Sequence, residues 1–218
     1  MELYLSRIVL DVRSTQARRA FRDIYEAHRT VMAAFPDGPV GNPRSEMSVL
    51  WRSESGRIPT LLVQSAVRPE TAAWAGLSID TAVKEIGGAL DRALTQGRIL
   101  RFRIRGNPTR KIDTKSLDGA RRHGRRVPLR RDPDRVAWLE RQLHAAGAAL
   151  VSVDGKPDLS VQGSGIFKGR RRDRTITVEA VDFSGRLVVE EPDLLRQAVA
   201  IGIGPGKAFG MGLLMVAP

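Results

Sequence analysis

Apolar residues along this chain fall into two kinds of pattern: short runs of Leu, Ile and Val, and stripes at three- and four-residue spacing. The first run, Leu3 to Asp11, predicts a strand. Ala17, Ala20, Phe21, Ile24, Val31 and Phe35 then share one face, predicting a helix from about Ser14 to Ala34 with Ser14 as N-cap. Pro36, Asp37 and Gly38 stop it, and PDGPVGNP reads as loop. Met47 to Arg52 and Thr60 to Ala66 predict two strands about a turn at SESGR. A less regular helix, interrupted by Gly87 and Gly88, is expected from about Asp80 to Leu94. ILRFRIRGN alternates Ile99, Phe102 and Ile104 with arginines, predicting a strand with one basic face.

From Pro108 to Gly124 the chain is polar and basic and reads as a connector, after which the pattern starts again. RRVPLR predicts a short strand. DPDRVAWLERQLHAAG predicts a helix with Asp132 as N-cap, Pro133 at N1 and Gly147 past its end. AALVSVD predicts another strand. Leu159 to Phe167 and Thr175 to Asp182 predict a hairpin whose tip, Lys168 to Arg174, is almost entirely cationic. Gly185 to Glu190 extends that sheet, Pro192 to Ile201 forms a short helix and Leu213 to Val216 a last strand. Each half thus reads β-α-β-β-α-β, the split βαβ unit. The expected class is α+β, with two tandem ferredoxin-like, RRM-like domains at residues 1–107 and 125–218 and a basic connector at 108–124.

Charge adds a partner to this fold. The 218 residues include 36 Lys and Arg against 24 Asp and Glu, a net +12. Thirteen of the cations and only two aspartates lie between Arg98 and Arg131, and KGRRRDR is a second run. The arginine fork suits phosphate oxygens. Clusters of this kind point to a polyanion bound through counterion release, a solvated face being the plainer alternative. Two separate runs in a small chain favour nucleic acid. Only 5% of residues are aromatic, which argues against a stacking surface for single strands and toward a duplex stem. The absence of cysteine excludes disulfides and thiolate metal sites and suits a reducing cytoplasm. No stretch offers the roughly 18 uninterrupted apolar residues a membrane helix needs. No set of His and carboxylates has metal-ligand spacing, so no metal, cofactor or membrane is expected as a partner.

GIGPGKAFGMGLLMV places five glycines, Gly202 to Gly212, between the last helix and the last strand. Two readings are open: a backbone cradle for phosphate with Gly204, Gly206 and Lys207 in reach, or a tight turn packing helix on sheet. It is not a P-loop, because Ile201 and Ala208 stand where that motif needs Gly and Ser or Thr.

Of three histidines, His28 follows Tyr25 by three residues, so both side chains share neighbouring helix surface, with Arg29 beside them. His28 also falls in line with Ile24, Val31 and Phe35, so a hydrogen-bonded core histidine is the competing reading. His123 lies in the connector and His144 off its helix's apolar stripe; neither is assigned a role.

YEAHR, RFRIRGNPTRK, RVAWLERQL and GIGPGKAFGMGLL, taken together over the whole length, resemble the CasE-type endoribonucleases of the CRISPR Cascade complex, also called Cse3, within the repeat-associated RNA-binding superfamily. The resemblance implies metal-independent cleavage of CRISPR precursor RNA at the base of each repeat hairpin. It also implies retention of the mature guide RNA and assembly with other Cascade subunits. The family's catalytic tyrosine and histidine carry over to Tyr25 and His28. RNA brings its own nucleophile, a 2′-OH whose attack leaves a 2′,3′-cyclic phosphate and a 5′-OH. Imidazole, ordinarily titrating near about 6.5, suits the proton transfer. A phenol, ordinarily near about 10, suits donating a hydrogen bond. His28 as base and Tyr25 as donor or acid is the expected assignment, and the reverse stays open. Arg29 adds positive charge at the phosphate. Lys168, Arg170, Arg171, Arg172 and Arg174 are expected to read the stem's groove, and Arg103, Arg105, Arg110, Lys111, Arg125 and Arg126 to track its backbone. A guide-RNA holder that does not cut, or a basic structural RNA-binding protein, is the alternative.

Overall fold

The computed structural model describes residues 2–37, 43–112 and 125–218. The first half builds β1 (Tyr4–Leu10), α1 (Thr15–Arg22), α2 (Ile24–Met32), α3 (Pro43–Glu46), β2 (Leu50–Glu54), β3 (Thr60–Ser65), β4 (Ser78–Glu85) and α4 (Gly87–Ala93). Its sheet runs β2-β3-β1-β4 with every neighbouring pair antiparallel. That is the strand order of a ferredoxin-like unit, with the second helix reduced to a 3₁₀ turn, Thr71–Trp74.

The stripe expected to form one helix is broken at Asp23. Its backbone is extended (φ −127°, ψ 114°), and its carboxylate accepts the Tyr25 N–H at 2.8 Å and the Glu26 N–H at 3.1 Å. An aspartate that bonds the backbone just ahead of it ends one helix and caps the next. Ser14 caps α1 as expected, accepting the Ala17 N–H. The helix expected from Asp80 is instead strand β4 as far as Glu85, followed by α4. Ile79, Thr81 and Val83 are β-branched at period two, and pairing with β1 decides for a strand.

The second half builds β5 (Ile99–Gly106), β6 (Thr109–Ile112), β7 (Arg125–Pro128), α5 (Asp132–Ala145), β8 (Ala148–Leu150), β9 (Ser152–Val153), β10 (Lys156–Pro157), β11 (Leu159–Arg171), β12 (Arg174–Val189), α6 (Pro192–Ile201) and β13 (Leu214–Ala217). Its main sheet runs β11-β12-β5-β13, with β8 also on β12. The ferredoxin-like order therefore recurs, but it begins at β5. Ile99–Gly106, expected to close the first unit at residue 107, lies between β12 and β13 in the second sheet. Arg125–Pro128, expected to open the second sheet, pairs among the described residues with β6 alone. In chain order the expected connector, 108–124, follows β5 of the second sheet and precedes α5. Residues 113–124 of it, His123 included, lie outside the described residues. A strand's sheet is set by distant partners, which a local pattern does not carry.

Two apolar cores result. Leu100, Ile104, Trp138, Leu139, Phe183, Leu187 and Leu195 centre the second. The first holds Ile8, Val31, Trp51, Val63 and Trp74, and it also takes Val178 and Ala180 from β12 and Met211 from the C-terminal segment. The hairpin of β11 and β12 therefore reaches out of its own sheet into the first core, which brings its tip to α2. Gln64 Nε2, donating to Val199 O at 2.7 Å, ties β3 to α6.

Candidate active site

Four stretches distant in sequence meet around a pocket of about 390 Å³. Tyr25, His28 and Arg29 come from α2, Arg44 from α3, Arg171 from the end of β11, and Ala208 and Phe209 from the glycine-rich segment. Tyr25 and His28 are both half-buried. The competing reading of His28 as a sealed, hydrogen-bonded core residue does not hold: the ring lines the pocket, and its Nδ1 has no partner among the described residues. Burial, and after it the positive charge of Arg44, push the His28 pKa below its ordinary value. The ring is therefore neutral at neutral pH and able to accept a proton. Burial, then Arg44, also lowers the pKa of Lys207. Arg29 is exposed and pairs with Glu26 at 3.3 Å.

The cationic hairpin is docked on the start of α2. While Asp23 Oδ1 caps the helix, its Oδ2 accepts the Arg170 N–H at 3.0 Å. Gly169 permits this approach, because a Cβ there would lie 2.8 Å from Tyr25 N and 2.9 Å from Asp23 Oδ1. Lys168, Arg170, Arg171, Arg172 and Arg174 are all exposed on this tip, so the pocket opens beside a strongly positive surface.

The glycine-rich segment supports its second reading, the tight turn, in detail. Gly204 (φ 73°) and Gly210 (φ 80°) have Trp138 and Trp51 against them, 2.8 Å and 2.9 Å from where a Cβ would sit. Gly206 faces Met211 in the same way. Trp51 Nε1 donates to Ala208 O at 3.2 Å, holding Ala208 and Phe209 at the pocket wall.

Not every expected contact gathers here. Arg105 was expected to track RNA, but it is 6% exposed. Its Nε and Nη2 donate to Asp182 at 3.0 Å and 3.1 Å and its Nη1 to Ser53 O at 2.7 Å. It serves the junction between the sheets, because β2 covers this end of β5. Arg103 is half-exposed and pairs with Glu54. Arg110, Lys111 and Arg126 are exposed on the β6–β7 ribbon and are not among the residues that line the pocket. The Arg125 backbone pairs with Ile112, and its side chain lies outside the described residues. Conversely, Arg44 and Asp23 gave no sequence signal: one sits in a Pro- and Gly-rich loop region, the other inside an apparent helix stripe. Among the described residues, no group of three or more His, Asp or Glu is placed to hold a metal, and no helix is long and apolar enough to cross a membrane.

Residues 3–218 match the family described as CRISPR associated protein. This chain belongs to that family. It is 34% identical to the CRISPR-associated endoribonuclease Cse3 of Thermus thermophilus over 226 residues, covering 99% of this chain and 100% of that protein. Over 222 residues it is 31% identical to the CRISPR system Cascade subunit CasE of Escherichia coli, again covering 99% and 100%. The fold superimposes on Thermus thermophilus Cse3 bound to an RNA representing a pre-cleavage complex, with a TM-score of 0.82, 34% identity and full coverage of both chains. The family member described here thus shares its overall fold with Thermus thermophilus Cse3 along the full length of both chains.

Proposed function

We propose that this chain is an endoribonuclease that cuts CRISPR precursor RNA at the repeat hairpin. The proposal includes that it needs no metal, stays bound to the mature guide RNA and joins other Cascade subunits in the cytoplasm. The observation that carries the reading is the pocket itself: a neutral, partly desolvated imidazole three residues from a phenol, walled by cations, beside an exposed basic hairpin. Whole-length identity to proteins named as an endoribonuclease and as a Cascade subunit supports it.

In this reading the stem lies along Lys168, Arg170, Arg172 and Arg174, gripped by shape and phosphate contacts. The strand leaving its base enters the pocket. His28 takes the proton of the 2′-OH, the 2′-oxygen bonds to phosphorus, and the bond to the 5′-oxygen breaks. Tyr25 supplies that oxygen's proton, giving a 2′,3′-cyclic phosphate and a 5′-OH; exchange with solvent resets both side chains. Positioned acid–base catalysis of this kind is worth about 10² to 10⁴-fold.

Incubation of the protein with its own repeat hairpin in excess EDTA tests the proposal. A single cut ending in a cyclic phosphate is expected. Binding without a cut would leave a guide-RNA holder, and equal affinity for unrelated duplexes would leave a general basic RNA-binding protein.

A further inference from the structure

We infer that Arg44 is a further catalytic residue, whose guanidinium binds the non-bridging oxygens of the scissile phosphate and stabilises the charge that grows there as the 2′-oxygen attacks. The inference rests on the endoribonuclease reading above. Five arginines with described side chains are not exposed: Arg44, Arg52, Arg105, Arg135 and Arg196. Four of them hold a carboxylate, Arg52 with Glu54, Arg105 with Asp182, Arg135 with Asp132 and Arg196 with Asp91. Arg44 alone among these five has no ion pair with a described residue, and its guanidinium's one hydrogen bond there runs from Nη1 to Val49 O at 3.2 Å. A half-buried guanidinium that faces a pocket and keeps no described carboxylate is free to take an anion that enters there.

The position of that cation decides which anion. Arg44 lines the same pocket as Tyr25 and His28, and it is close enough to both His28 and Lys207 to disfavour their protonated forms. It is also firmly held. Val49 N–H donates to Arg44 O at 2.8 Å while Arg44 Nη1 returns a bond to Val49 O, and Val49 is fully buried at 0% exposed. Nε and Nη2, the two donors of one edge of the fork, keep no described partner and match two oxygens of a phosphate. Arg29 and Arg171 line the pocket too, but both are exposed. Water screens them, whereas a half-buried, pre-anchored cation acts at low dielectric with little reorganisation.

The test compares wild type, Arg44→Ala and Arg44→Lys in single-turnover cleavage of the repeat hairpin, with protein in saturating excess. Affinity for the same RNA carrying a 2′-deoxy sugar at the cut is measured in parallel, and thermal unfolding checks that each variant folds. Arg44→Ala is expected to cut about 10² to 10³-fold more slowly with affinity changed only a few-fold, and Arg44→Lys to recover part of the rate. Sulfur in place of a non-bridging oxygen should slow wild type and leave Arg44→Ala nearly indifferent, a signature a structural role would not produce. Cleavage by Arg44→Ala within about threefold of wild type overturns the inference, as does an equal loss of rate and affinity, or an undiminished sulfur effect. If wild type itself does not cut, the endoribonuclease reading falls first and takes this one with it.

Discussion

Two clusters of basic side chains in this molecule, one buried and one half-buried, have opposite fates. Between the sheets, Arg52 and Arg105 are 5% and 7% exposed at their side chains and converge on Asp182, at 3.4 Å and 3.0 Å, with Glu54 on Arg52 at 2.7 Å. Ser164 also donates to Asp182. Burial alone would raise the Asp182 pKa, but the bonds from Arg105 and Ser164 and both guanidinium charges outweigh it and hold the carboxyl low. Burial and the neighbouring Arg105 push Arg52 down to about 10, still charged at neutral pH. Around the pocket, Arg44, Lys207 and the neutral His28 share a neighbourhood with no carboxylate paired to Arg44 among the described residues. The paired cluster fastens β2 to β5 and β12. The unpaired one is left open for an anion, and that contrast separates scaffold from site.

The strongest way to sharpen the contrast is His28→Ala. Cleavage should fall about 10² to 10⁴-fold while the denaturant midpoint stays close to wild type; retained rate would remove His28 from the chemistry. The mirror experiment is Asp182→Ala, which strands two buried cations. Chemical unfolding should show a loss of about 3 kcal/mol, the low end for a broken buried pair because the Asp182 side chain is 32% exposed. A loss near zero would mean that the cluster contributes little to holding the sheets together. Gly169→Ala places a methyl against the start of α2, and roughly 1 to 3 kcal/mol of overpacking is expected together with slower cleavage. Unchanged stability would show that the hairpin tip is not docked on Asp23 in solution.

The smallest effect is a shift in pH dependence. Because the His28 pKa lies below its ordinary value of 6.5, the base form is present above that pH and is lost as pH falls through the depressed value. The cleavage rate should therefore rise with pH through an inflection below 6.5 and then level off. Removing Arg44 takes away the neighbouring positive charge, so the inflection should move upward while burial still holds it under the free value. A rate that instead falls with rising pH over this range would make the imidazolium the working form and reverse the roles of His28 and Tyr25.

Much of this was legible in the chain alone. Tyr25 and His28 stand out through spacing and family resemblance, and the cationic hairpin through composition, because both are local features. Ser14 and Gly147 mark helix ends through chemistry confined to a few bonds, and Gly147 has the positive φ of 72° that its place past a helix end requires. Arg105 misleads, since alternation along β5 places it on a basic face and cannot show that β2 covers that face. Asp23 misleads in the other direction: the apolar stripe runs straight through a residue whose side chain ends one helix and starts the next.

By itself the sequence determined that this is a basic, cysteine-free α+β chain with a doubled strand–helix pattern, suited to a nucleic-acid stem, since composition and short-range periodicity need no partner to be read. Only the tertiary structure decided which sheet takes Ile99–Gly106, which arginines meet carboxylates, and that Arg44 meets none among the described residues. Those outcomes depend on residues far apart in the chain coming into contact, as Arg52 and Asp182 do across 130 positions. Desolvation and charge pairing act through space, and no local pattern along the chain encodes them.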